Sequence, residues 1–161
     1  DILIWSEKPI AWENFNPSTW LPTGFGTTIK TGIKCDIKID SEKANVYAFM
    51  NKKESRVLDS IKPTKRMLRH EQIHFNITEF QVRLLRKELI NLGEEKVKKN
   101  IILNLLEKYE KKIDSMQKEY DNITNHGENF IQQPLWEIKI KSLLENTKEY
   151  ENYNLFSYEK F

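Results

Sequence analysis

The 161 residues suit a single domain with room for a sizeable core, and 26 basic against 24 acidic side chains leave a net charge of +2. That near-balance gives no general reason to expect nucleic acid or an anionic membrane as a partner. Cys35 is the only cysteine, so neither an intrachain disulfide nor a cysteine-rich zinc site can form, and no apolar run approaches the roughly 20 residues of a membrane span.

The first 60 or so residues read as β-rich. Three of the five glycines and four of the five prolines fall at or before residue 63. "ILIW" (2–5) is a short apolar run with the look of a strand, and "NPSTWLPTGFG" (16–26) is a loop with aromatic anchors. In "TTIKTGIKCDIKID" (27–40), Ile29, Thr31, Ile33, Cys35, Ile37 and Ile39 alternate with Lys30, Lys34, Asp36, Lys38 and Asp40. Period two over that length predicts a half-buried strand. "DSEK" supplies a turn, and "ANVYAFM" (44–50) predicts a second, more buried strand.

From residue 61 onward the pattern is helical. Pro63 suits the first turn of a helix and Gly93 its stop, with no breaker between them. A second helix is predicted from about Glu94 to Gly127. Its seam is Ile102, Leu106, Tyr109, Ile113, Met116, Tyr120 and Ile123, spaced by threes and fours as core-packing residues are. A third helix is expected over "PLWEIKIKSLLEN" (134–146), followed by the aromatic and polar tail "YENYNLFSYEKF". The tally is α+β in one domain, 1–161, with a small sheet in 1–60 and helices in 61–161.

The first of these helices carries "HEQIH" (70–74), which uses two of only three histidines in the chain. At about 100° per residue, His70 and His74 differ by about 40° and share a face, and Glu71 lies about 60° from His74. Two imidazoles and a carboxylate thus surround one point, an arrangement that suits Zn2+ with a water in an open position. The metal lowers the pKa of that water toward about 7 and the glutamate accepts its proton. This is the H-E-x-x-H pattern of metallopeptidases, and chance produces it in fewer than about one chain in a hundred of this length.

A third protein ligand is then required. Glu79 is close in sequence but nine residues after His70, about 180° round a straight helix, so it is expected to pair with an arginine or a backbone donor instead. The remaining histidine, His126 in "YDNITNHG" (120–127), continues near the buried seam of the second helix. It reads either as a ligand or as a hydrogen-bonded core residue.

"LRHEQIHFNITEF" (68–80), "YDNITNHGENFIQQPLWEIKI" (120–140) and the earlier "IAWENF" (10–15) together resemble a family of uncharacterised bacterial proteins predicted to be secreted zinc-dependent proteases of the zincin superfamily. The similarity spans about residues 4 to 145. It implies that His70, His74 and His126 bind the metal, the last through the T-x-H-G motif, and that Glu71 is the catalytic glutamate. One departure is Arg56 in "ESRV" (54–57), where the family carries an aromatic after the serine. The resemblance further implies that an exposed edge strand holds a peptide by strand addition, with "NVYAFMN" (45–51) the nearest candidate and an ordinary core strand the alternative.

The expectation is therefore a zincin-like α+β peptidase. Zinc is held by His70, His74 and His126, Glu71 is general base, and Tyr120 and Asp121 are candidates to steady the oxyanion or support the ligands. A peptide or protein substrate, a monomer and an extracytoplasmic setting are expected, since a chain starting at Asp1 is compatible with a removed signal peptide. The rivals are a non-catalytic zincin-like binding domain with a structural or vestigial metal site, and a helical interaction protein associating through the 102–123 seam.

Overall fold

A computed structural model of the chain describes residues 1–21, 24–38, 43–93 and 98–152, with side chains for 1–21, 24–36, 45–93 and 98–152. Most of the predicted DSEK turn, Ile39 and Asp40 of the alternating segment, Glu94 at the expected start of the second helix, and residues 153–161 of the aromatic tail lie outside the described residues. The class is α+β: among the described residues six strands precede three α-helices.

One sheet contains β1 (Ile2–Ile4), β5 (Lys43–Asn51) and β4 (Thr31–Lys38) in the order β1-β5-β4, all antiparallel. The second contains β2 (Asn16–Ser18), β6 (Arg56–Leu58) and β3 (Thr27–Thr28) in the order β2-β6-β3, with β2 parallel and β3 antiparallel to β6. The predicted strand over 27–40 is thus broken at Ile29–Lys30, and its two parts pair in different sheets. Its alternation still holds: Ile29, Ile33 and Cys35 pack on the core and Lys34 is exposed. "NVYAFMN" is not an edge. β5 is central, paired to β1 on one side and β4 on the other, and Val46, Ala48 and Met50 are fully buried.

Ser55 ties the sheets together. Its Oγ accepts from Lys30 N (2.9 Å) and donates to Asn51 O (2.7 Å), and its carbonyl accepts from Asn16 N (2.9 Å). Arg56, the departure from the family pattern, is exposed on β6.

Helix α1 (Lys65–Leu92) starts two residues later than Pro63 suggests. Thr64 is the N-cap, and its side chain accepts from Met67 N. The helix stops at Gly93, whose φ of 75° is open to glycine at no steric cost. It packs on β4 and β5 and on α2 (Lys99–Thr124) and α3 (Gln132–Asn146), which is why residues around most of its circumference are buried. The contacts His74–Asp121, Thr78–Gln117, Gln81–Met116 and Glu88–Tyr109 run in opposite chain order, so α1 and α2 are antiparallel. Ile102, Tyr109, Ile113 and Tyr120 of the predicted seam are buried, but Ile123 is exposed and Thr124 takes its place. Among the described residues no helix is long and apolar enough to cross a membrane.

Glu79 behaves as helix geometry requires. It is 1% exposed and turns away from the HEQIH face, accepting from Arg83 Nε (3.0 Å) and Arg86 Nη1 (2.8 Å). Arg86 also donates from Nε to Val46 O (2.7 Å) and from Nη1 to Tyr150 O (2.9 Å) and Glu151 O (3.2 Å). An interior ion group is tolerable only when its remaining donors are satisfied in this way.

Candidate metal centre

The second turn of α1 points His70 and His74 at α2, and both are buried. Their Nε2 atoms lie 3.2 Å apart. Asp121 Oδ1, from the facing turn of α2, lies 3.1 Å from His70 Nε2 and 2.9 Å from His74 Nε2. A tetrahedral ion with bonds of about 2.0–2.1 Å holds its ligand atoms about 3.3 Å apart. The three donors therefore already stand close to the spacing such an ion imposes, and two imidazoles with a carboxylate are a donor set that zinc accepts. Electrostatics bind them too. Burial alone would raise the Asp121 carboxyl, but hydrogen bonds with His70 and His74 outweigh it and hold that group well below the usual carboxylate range. Burial would lower the His74 imidazole, but the Asp121 hydrogen bond and the charges of Glu71 and Asp121 raise it instead.

Glu71, 3% exposed, lies in the same pocket, a cavity of about 170 Å³ bounded also by Phe25, Thr27–Ile29, Gln117 and His126. Thr27 Oγ1 donates to Glu71 Oε1 at 2.6 Å. The neighbouring polar group of the motif is used structurally, since Gln72 Oε1 accepts from Ile10 N at 2.7 Å and so fastens the "IAWENF" segment to α1.

His126 reaches the pocket by a route different from the one expected. Helix α2 ends at Thr124, and Asn125, His126 and Gly127 follow with φ of 47°, 52° and 82°. These three consecutive left-handed residues turn the chain off the helix, with Asn125 N and His126 N both donating to Asp121 O. Non-glycine residues adopt this conformation at a cost, and such strain persists where the surroundings over-determine it. The His126 ring stacks on Phe25 with centroids 3.6 Å apart, and its Nδ1 lies 3.5 Å from Asp121 Oδ1. It stands beside the His70–His74–Asp121 group rather than within it.

Tyr120 lies beneath the site, fully buried, with its ring stacked on that of His70 at 4.7 Å. Its hydroxyl donates to Gln133 Oε1 (2.8 Å), and the residue packs behind His70 without lining the pocket. Gln133, on α3, was not singled out by sequence. Nor were Thr27 and Gln117, whose Nε2 donates to Thr31 and Thr78 hydroxyls beside His74. A glutamine or threonine carries no chemical signature, and each reaches the site across a large sequence separation. Comparison of the chain with protein-family models, curated proteins and solved structures finds no match.

Proposed function

We propose that the chain is a zinc-dependent peptidase of zincin-like fold, with His70, His74 and Asp121 as metal ligands and Glu71 as general base. The observation that carries this reading is the convergence of His70 Nε2, His74 Nε2 and Asp121 Oδ1 in a pocket that also holds Glu71. When bound, zinc supplies a water acidic enough to be deprotonated near neutral pH and polarises the scissile carbonyl.

The rest of the chemistry belongs to the chain. Thr27 occupies Glu71 Oε1 and leaves Oε2 to take a proton from the attacking water. Glu71 then delivers that proton to the nitrogen of the departing amine, so the carboxylate is regenerated as the peptide bond breaks. His126, whose ring borders the pocket, donates a hydrogen bond to the carbonyl oxygen as charge develops on it. A peptide lies along Thr27–Ile29, where β3 forms the edge of its sheet and the backbone borders the cavity. The resemblance noted in the sequence adds an extracytoplasmic setting and a peptide or protein substrate.

The test is metal content followed by digestion of a peptide library. One zinc per chain, removable by a chelator, is expected, with cleavage that returns on adding zinc. At zinc a thousandfold above Kd the folded state gains about 4 kcal/mol, readable as a rise in Tm. Protein that takes up no transition metal when zinc is supplied would remove the basis of the proposal. Stoichiometric zinc without cleavage of any peptide would favour the non-catalytic binding domain.

A further inference from the structure

His70 and His74 are held very differently at the nitrogen turned away from the site. His74 Nδ1 is buried with no hydrogen-bond partner among the described residues. His70 Nδ1 lies 3.2 Å from Gln133 Oε1. Gln133 is 2% exposed and sits in the first turn of α3, sixty-three residues away in sequence.

Which end of the Gln133 amide faces His70 is fixed by its neighbours. Its other end is 3.1 Å from Glu137 Oε1, an acceptor when ionised, so that end is the NH2 group. The oxygen then faces both Tyr120 and His70, accepting from the Tyr120 hydroxyl at 2.8 Å. An oxygen there can only accept, so His70 Nδ1 must carry a proton. Nε2 is then the nitrogen turned to His74 Nε2 and Asp121 Oδ1, and it is the one that can give up a proton for a metal while Nδ1 keeps its own. The ring cannot easily turn away. Tyr120 stacks on one face. Gly127 crowds it so closely that a Cβ there would stand 2.9 Å from His70 Cγ.

We infer that Gln133 is a positioning residue that locks His70 in the Nδ1–H tautomer and so prepares Nε2 as a metal ligand. This rests on the metal-site reading above but names a residue outside the H-E-x-x-H motif. The clamp uses a neutral amide oxygen, itself polarised by Glu137 and shared with Tyr120. Partners of this kind, when lost, typically cost 10–100-fold in metal affinity, roughly.

The experiment uses 15N-histidine NMR and zinc titration on the full chain. Wild type is compared with Gln133→Met, which keeps bulk and removes the acceptor, and with Gln133→Glu/Glu137→Gln, which exchanges the two partners and keeps an acceptor facing His70. In wild type, His70 Nδ1 is expected to be protonated and, with zinc added, Nε2 to be the bound nitrogen. Gln133→Met should lose the preference for Nδ1–H and bind zinc about 10–100-fold more weakly. The exchanged pair should restore both. Wild-type His70 found without a proton on Nδ1 overturns the inference without any variant, even if Gln133→Met fails to fold. Unchanged tautomer and zinc affinity in a folded Gln133→Met do so as well. If wild type binds no zinc, the peptidase reading fails separately. The metal-free spectrum then decides the clamp: Nδ1–H present in wild type and lost in Gln133→Met supports it, and its absence in wild type sinks it.

Discussion

Glu71→Gln is expected to leave zinc bound while lowering peptide hydrolysis by about a hundredfold or more. The substitution is nearly isosteric, and the glutamine oxygen can still accept from the Thr27 hydroxyl that now holds Oε1 at 2.6 Å. Both histidines and Asp121 stay as they are. What disappears is the second oxygen as a proton acceptor, because an amide nitrogen cannot take a proton from water near neutral pH. Zinc content measured beside kcat separates the two roles. Hydrolysis at the wild-type rate would place the base elsewhere. Loss of zinc would mean that Glu71 shapes the ligand set rather than the proton transfer.

Asp121→Ala and His126→Ala are expected to part company. Removing one of the three donors should weaken zinc by roughly a thousandfold, about one ligand's share of the 10–16 kcal/mol typical of structural zinc sites. His126→Ala should keep zinc and lower kcat by about tenfold to a hundredfold through loss of a hydrogen bond to the developing oxyanion. The control is Glu79→Ala, which leaves Arg83 and Arg86 without their buried partner. It should cost about 3–5 kcal/mol of stability with zinc affinity preserved. Isothermal titration with zinc reads the three affinities, peptide turnover the kcat of His126→Ala, and thermal unfolding the stability of Glu79→Ala. Zinc lost at position 126 and kept at 121 would make His126 the third ligand. The left-handed turn would then have to swing its ring inward past Asp121, from which its Nδ1 now stands 3.5 Å.

The local parts of this site were legible. Helical period alone put His70, Glu71 and His74 together and turned Glu79 away from them, toward an arginine or a backbone donor, because those relations depend on one regular element. Gly93 marked the stop of α1 for the same reason. The third position was less legible. Asp121 stood among the candidates for steadying the oxyanion or supporting the ligands, and His126 as the ligand through the T-x-H-G resemblance, with α2 expected to run to Gly127. The helix ends at Thr124, and three left-handed residues carry His126 off the seam. A helix end set by an asparagine rather than a glycine is hard to place from sequence, since Asn tolerates that conformation without requiring it. Strand order was illegible for another reason. "NVYAFMN" is centred in its sheet because "ILI" at the start of the chain pairs with it, and nothing local to either segment encodes that partnership. Gln133 and Thr27 act across 63 and 44 residues, respectively, with side chains common on any surface.

Arg86 sets a limit on how far the chain can be shortened from its C-terminal side. Its guanidinium reaches from the C-terminal third of α1 to the carbonyls of Tyr150 and Glu151, and the Arg83 side chain bonds Leu144 O nearby. The Tyr150 and Glu151 carbonyls belong to the short turn after α3 and not to any sheet or long helix. A chain ending at Asn146 would keep all three helices and every residue of the metal centre, yet leave a buried cation with fewer acceptors than donors. The expected result is a protein with an intact site and a lowered unfolding temperature. Two backbone oxygens beyond the last long helix thus help to hold a cation in the interior.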